Sequence, residues 1–332
     1  MGSADWNETD GLGDFLDEGW EKVWQGDIAG AHQDAERTLA LDPASPEAHN
    51  LMGYVLAAEG AMERAAAHYD KALELDPGFG EALLNHADLQ LAVGESARGL
   101  ALLDELLAIS EASEERVEAT LMRIEALNRL DRREEAAEAC EGLLTAEPES
   151  AELELAIGRV LFEAGSIELA EARLRRAISR GVTSGDAEYF LGVIADTGGD
   201  AEAATLHFIR ARELDSDGPV PAWTHPRWAF ERMVQEAIRA LPAPWATRLE
   251  GTLVVCADLP GIELVADGLD PRTPVFADAV SGEGEQLEVG RLFVYQRPVE
   301  LIASAPEHVA EELEQALLRE LTAVAQPPPA PS

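Results

Sequence analysis

Apolar and small residues recur at helical spacing along the first two thirds of this chain, and the pattern returns every 34 residues. Leu39-Ala40-Leu41-Asp42-Pro43 and Leu73-Glu74-Leu75-Asp76-Pro77 close two successive units in the same way. With that Pro as the marker, units run over about 12–45, 46–79, 80–113, 117–150, 151–184 and 185–218, with three residues inserted before the fourth. A unit of this length holds two short helices and a turn. It cannot bury its own apolar face, so it is stable only when stacked on neighbours. Gly19, Gly53, Ala87, Gly158 and Gly192 stand where the first helix must approach the second, which offers Ala31, Ala65, Ala136, Ala170 and Ala204. Gly26, Gly60, Gly94, Gly165 and Gly199 mark the turn between helices. The third and fourth units depart from the pattern, with Gly99 in the usual Ala position and Asp131 at the turn.

The period ends at Asp215-Ser216-Asp217-Gly218-Pro219-Val220-Pro221, because two prolines within three residues cannot continue a helix. Beyond it the pattern predicts a helix over 226–240 with Phe230, Val234 and Ile238 on one face, stopped by Pro242 and Pro244. Strands are expected at Thr252–Cys256, Pro274–Ala277 and Arg291–Tyr295, and a last helix from about Pro306 to Ala325. The segment between the first two strands, to about residue 273, reads as loop. The expected organisation is an N-terminal tail over 1–11, a repeat array over 12–218, a linker over 219–225, a small α+β domain over 226–326 and a Pro-rich disordered tail over 327–332. The chain is therefore expected to be mostly α.

Composition adds charge to this picture. With 332 residues, 46% of them hydrophobic, the chain can fill more than one core. The formal charge is −39; residues 219–332 carry 17 acids and 8 bases, net −9, which leaves −30 on residues 1–218. Such a field repels nucleic-acid phosphates and anionic lipid and draws in basic partners, although a solvated surface alone would also account for it. Neither nucleic acid nor membrane is an expected partner. The acidic stretch Met1 to Trp20 lacks the features of a signal peptide, and no apolar run reaches the ~18 residues of a membrane helix, so a cytoplasmic location is expected. Cys140 and Cys256 are far apart and sit within apolar patterns, as core residues do. The seven histidines, His32, His49, His68, His86, His207, His225 and His308, include no i, i+4 pair. With no Gly-rich phosphate loop, nucleophile elbow or paired-cysteine motif either, no cofactor and no metal are expected.

The positions and spacings of residues 12–218 resemble tetratricopeptide repeats, most closely in units 46–79 and 185–218. The resemblance implies an α-solenoid superhelix whose concave face is lined by the first helix of each unit and binds an extended peptide or a partner helix. Mapped onto this sequence, that face comprises Trp20, Trp24, Asn50, Tyr54, Asn85, Asp88, Leu91, Glu125, Asn128, Arg159, Phe162 and Tyr189. Trp20 and Trp24 lie one turn apart and admit two readings: a cap packed under the N-terminal segment, or aromatic anchors for a ligand. Family members that hold acidic C-terminal peptides use Lys and Arg with Asn, but the first two units here offer Leu16, Trp20, Asn50 and Tyr54. A basic or apolar segment is the expected ligand.

Residues 226–326 are similar to the small bacterial zincin-like metallopeptidases. The resemblance rests on Phe230-Glu231 through Leu241-Pro242, Asp258-Leu259-Pro260, Val275-Phe276, and Leu292-Phe293-Val294-Tyr295-Gln296-Arg297-Pro298. In that family the last helix carries HExxH, with two imidazoles for zinc and a Glu as general base. The matching residues here are Arg319-Glu320-Leu321-Thr322-Ala323. Arg319 has no lone pair to give and Ala323 has no donor atom, so the motif is degenerate and Glu320 alone remains. Glu320 then reads as a solvated helix position or as part of an ion pair near Arg319. The expected function is that of a protein–protein interaction adaptor or scaffold with a catalytically inactive, metallopeptidase-like domain that binds a peptide or caps the array. An active hydrolase with another site and a structural subunit of a larger assembly stand as alternatives.

Overall fold

The computed structural model describes residues 8–281 and 288–325, and the side chains of these except 8–12 and 279–281. Residues 1–7 of the expected N-terminal tail and the expected tail over 327–332 lie outside the described residues. The chain divides into two compact units, one ending at Arg180 and the other starting at Gly181.

The first unit consists of α1 (Glu8–Trp24), α2 (Ile28–Leu41), α3 (Pro46–Ala58), α4 (Met62–Leu75), α5 (Gly80–Ala92), α6 (Ser96–Ile109), α7 (Ser113–Arg129), α8 (Arg133–Leu143), α9 (Ala151–Glu163) and α10 (Ile167–Ser179). Each odd-numbered helix packs on the next to make a hairpin, and successive hairpins stack. α1 already starts at Glu8, inside the segment expected as a tail. Small residues set the approach of the paired helices. A Cβ on Gly53 would lie 2.6 Å from the Tyr69 ring, and Ala65 opposite is fully buried. The turns need left-handed backbone, which Gly60 supplies at φ +82° and Asp131 adopts at φ +55° as a non-glycine.

A feature of the repeat that the apolar pattern does not reveal is a polar pair 19 residues apart, joining the first turn of one helix to the middle of the next. It is His49 Nδ1 with His68 Nδ1 at 3.0 Å, and Glu154 Oε2 with Arg173 Nη1 at 2.9 Å. The repeat in the second unit has the same pair, Glu188 Oε2 with His207 Nδ1 at 2.7 Å. Glu154 is fully buried and also takes Arg176 at 3.2 Å and Arg180 at 3.4 Å, while Arg173 donates to the carbonyls of Leu143 and Leu144.

The second unit opens with the sixth repeat, α11 (Gly185–Thr197) and α12 (Ala201–Asp217). There follow α13 (Arg227–Ala240), α14 (Ala243–Arg248), β1 (Leu253–Ala257), α15 (Ile262–Ala266), β2 (Val275–Ser281), β3 (Glu288–Tyr295), α16 (Gln296–Ala303), a 3-10 turn at Pro306–His308 and α17 (Val309–Ala325). The sheet order is β1-β3-β2; β1 runs parallel to β3 (Val255 opposite Phe293) and β2 antiparallel to it (Phe276 opposite Phe293). α13 and α17 bury Phe230, Val234, Leu313, Leu317 and Leu321 against Leu292 and Val294. The second strand is longer than the expected Pro274–Ala277, and α14, α15 and α16 were not foreseen, since helices of 5 to 8 residues are too short to display a period.

The repeat period runs to residue 218, yet the sixth repeat is compact with the α+β elements. Arg272 reaches Asp186 at 2.8 Å and Asp215 at 3.0 Å, Arg212 Nε donates to the Pro260 carbonyl, and Val265 is buried with Ala204 and Phe208. The segment 219–225 is likewise pinned: Trp223 packs on the sheet core and the His225 N–H donates to Glu300 Oε1 at 3.0 Å. Among the described residues no helix is long and apolar enough to cross a membrane.

Candidate functional site

The first helices of repeats one and three place chemically distinct side chains around one open groove of about 720 Å3 in the first unit. α1 contributes Asp17, Trp20, Glu21 and Trp24, and α5 contributes Glu81, Leu84 and Asn85. The spacings 17/20/21/24 and 81/84/85 each put these residues on one helical face. Three carboxylates thus surround two indoles and an amide, and among the described residues no cation lines the groove.

The two indoles have different surroundings. Trp20 is half-buried, packs on the core of the first two repeats, and meets Tyr54 of α3 edge-on with ring centroids 5.4 Å apart. Trp24 is 82% exposed. Asn50 faces inward: it is buried, its Oδ1 accepts from Asn85 Nδ2 at 3.0 Å, and so it orients Asn85.

Further along the first unit, Asp88 and Glu125 belong to an acidic cluster with Glu118. Burial pushes the Asp88 carboxyl above its ordinary range, Glu125 adds to the rise, and Arg129 opposes it. The Glu118 carboxyl is raised for the same leading reason, with Asp88 contributing. Arg129 bonds Glu125 at 2.6 Å and also donates to the Leu91 carbonyl, while the Leu91 side chain is buried. Asn128 and Arg159 are exposed and Phe162 is half-buried. Tyr189 lies in the second unit, where its hydroxyl bonds Asp270 at 3.0 Å and the Arg272 guanidinium sits 4.5 Å over its ring. The groove residues that sequence reasoning missed, Asp17, Glu21, Glu81 and Leu84, were accessible to it as the i−3 or i−4 neighbours of Trp20, Trp24, Asn85 and Asp88.

In α17, Arg319 and Ala323 are exposed, and Arg319 stands 3.7 Å from the Glu312 carboxylate. Glu320 is not the solvated or ion-paired position expected. It is half-buried, and its Oε1 accepts the N–H of Ala277 in the sheet-edge strand β2 at 2.8 Å. Burial raises its carboxyl above the ordinary range, and the Ala277 N–H offsets part of that rise. The polypeptide thus uses the Glu320 carboxylate to satisfy an edge N–H.

Residues 16–78 and 155–219 match the family model for the tetratricopeptide repeat. The chain carries tetratricopeptide repeats. The tetratricopeptide region is similar in fold to Pseudomonas aeruginosa pilF, with 16% identity and a TM-score of 0.55 over 64% of this chain and 95% of that one. It is also similar to PilW, a type IV pilus biogenesis factor, with 20% identity and a TM-score of 0.51 over 61% of this chain and 92% of that one. A third likeness in fold is to the Cut9–Hcn1 hetero-tetramer of APC/C, with 14% identity and a TM-score of 0.52 over 62% of this chain and 41% of that one. At these identities the likeness shows the fold alone. No curated protein matches the chain.

Proposed function

We propose that this protein is a non-enzymatic adaptor whose first repeats hold a segment of a partner protein that carries basic residues and apolar anchors. Tetratricopeptide repeats serve in protein–protein interaction and scaffolding, which the repeat match supports for this chain. The observation that carries the finer reading is the groove of α1 and α5, where Trp20 and Trp24 stand among Asp17, Glu21 and Glu81 with no cation in the lining among the described residues. Aromatic side chains in such a setting hold an apolar anchor, and the carboxylates steer a cationic segment toward it. The net charge of −30 on residues 1–218 extends that steering over a wider surface.

The C-terminal α+β part is, on this reading, a zincin-like domain that performs no hydrolysis. Arg319 and Ala323 offer no lone pair where the family's imidazoles stand, and Glu320 is bound to the Ala277 N–H. The experiment is selection of peptide ligands from a random library by the full chain, followed by affinity measurement at low and high salt. Enrichment of Lys and Arg beside aromatic or aliphatic residues, with affinity falling as salt rises, supports the reading. Acidic ligands, or affinity that salt leaves unchanged, would overturn it. For the C-terminal part, stoichiometric tightly bound zinc in the purified protein would do the same.

A further inference from the structure

The second unit contains a pocket of about 610 Å3 that the groove reading does not use. Its wall is largely apolar, with Leu214, Pro219, Val220, Leu259 and Leu301 contributing. Charge is present but unevenly spent. Arg272 is held by Asp186 and Asp215, and Arg297 donates to the main-chain carbonyls of Asp215 and Gly218. Both guanidinium groups of the wall are therefore committed to the protein itself, whereas Asp217 lies exposed at the rim.

The decisive side chain is Glu300, which forms part of the wall and is 1% exposed. Its Oε1 accepts from the His225 N–H at 3.0 Å and from Gln296 Nε2 at 2.9 Å. Among the described residues its Oε2, equally buried, has no hydrogen-bond partner, and neither has the nearby His225 Nδ1, 3.5 Å from Oε1. A buried carboxylate oxygen left without a donor is costly, and in folded proteins such atoms are rare unless something else supplies the donor. We infer that this pocket binds an ammonium or guanidinium group carried on an aliphatic stem, with the stem against the Leu and Pro wall and the cation on Glu300. The volume suits such a ligand. The same chemistry is presented by a Lys or Arg side chain of a protein segment and by a free aliphatic amine.

Calorimetric titration of the full chain with hexylamine, 1-hexanol and N-acetyl-lysine methylamide tests this. Both ammonium compounds should bind and the isosteric alcohol should not. Glu300→Gln keeps acceptors for His225 and Gln296 but removes the charge, and should weaken ammonium binding by about tenfold or more. Leu301 is 56% exposed, so Leu301→Arg leaves the fold intact and places a competing cation at the pocket, with a loss of similar size. Leu169→Ala, an exposed position of α10 in the other unit, should change nothing. Tighter binding of the lysine derivative than of hexylamine assigns the pocket to a protein side chain, and the reverse assigns it to a free amine. Failure of both ammonium compounds to bind, equal binding of 1-hexanol, wild-type affinity in both pocket variants, or loss of binding in Leu169→Ala would each overturn the inference.

Discussion

Replacing Trp24 by alanine, and separately Trp20, distinguishes an anchor from a cap. A Trp side chain offers roughly 200 Å2, worth about 5 kcal/mol at ~25 cal/mol per Å2 if wholly removed from water. Trp24 is 82% exposed, so the fold has hidden less than a fifth of it, about 1 kcal/mol at most on the same scale. The remaining area could yield up to ~4 kcal/mol when a ligand covers it, of which the cost of ordering leaves ~2 kcal/mol or more. Trp24→Ala should therefore leave the melting temperature nearly unchanged and weaken a selected peptide by about thirtyfold. Trp20 is half-buried, packs on the core of the first two repeats and meets Tyr54 edge-on. Trp20→Ala should lower the melting temperature, with ~0.5–1.5 kcal/mol from the ring pair alone in addition to lost burial. Thermal melts and calorimetric affinities on the same two variants are the assay. If Trp24→Ala melts early and binds normally, Trp24 belongs to the fold and the anchor reasoning fails.

Ala65→Leu and Ala204→Leu should each cost roughly 1–3 kcal/mol by overpacking; wild-type melts for both would mean that the helix pairs do not meet where their buried Ala positions indicate. Glu154→Ala strands the buried Arg173 and should cost about 3–5 kcal/mol, whereas Glu154→Leu with Arg173→Met should recover much of the loss; equal effects in chemical denaturation would show that the pair is not coupled. Burial first, then His49, holds the His68 imidazole below its ordinary 6.5. Its contribution is complete above that value and is lost as pH falls from there through the folded value, because the unfolded chain takes the proton first. The fall in melting temperature from pH 8 to pH 5 should thus be larger, or the rise smaller, in the wild type than in His68→Asn, with His86, whose imidazole burial also depresses, acting in the same sense and the raised Asp88, Glu118 and Glu320 carboxyls in the opposite one in both proteins. A pH profile unchanged by His68→Asn refutes this.

The apolar and turn pattern anticipated the order helix, strand, strand, strand, helix in the C-terminal part, and the apolar face of α13 proved to be Phe230, Val234 and partly buried Ile238. It did not anticipate what Glu320 does. A carboxylate next to Arg319 in a helical pattern reads as solvent-facing, and only the position of β2 beneath it supplies the Ala277 N–H. The groove was legible to a similar depth. Trp20, Trp24 and Asn85 line it, but the sequence face had Asn50 as a contact residue, where the structure makes it the buried partner of Asn85.

What the sequence determined by itself was whatever each unit of 34 residues must repeat: helix lengths, small residues at the close approach, left-handed turns at Gly60 and Asp131, and the stacking that follows. These are local requirements, and every unit has to meet them within its own span. Tertiary structure alone decided the contacts that occur once. Tyr189 occupies a groove-type position in the repeat, but Arg272 and Asp270, more than eighty residues away, have taken its ring and hydroxyl. The sixth repeat is compact with the sheet domain through Arg272, Arg212 and Val265, although its period is that of the array. A unique long-range contact leaves no period in the sequence, so it becomes visible only when the chain has folded and the distant partners stand within bonding distance.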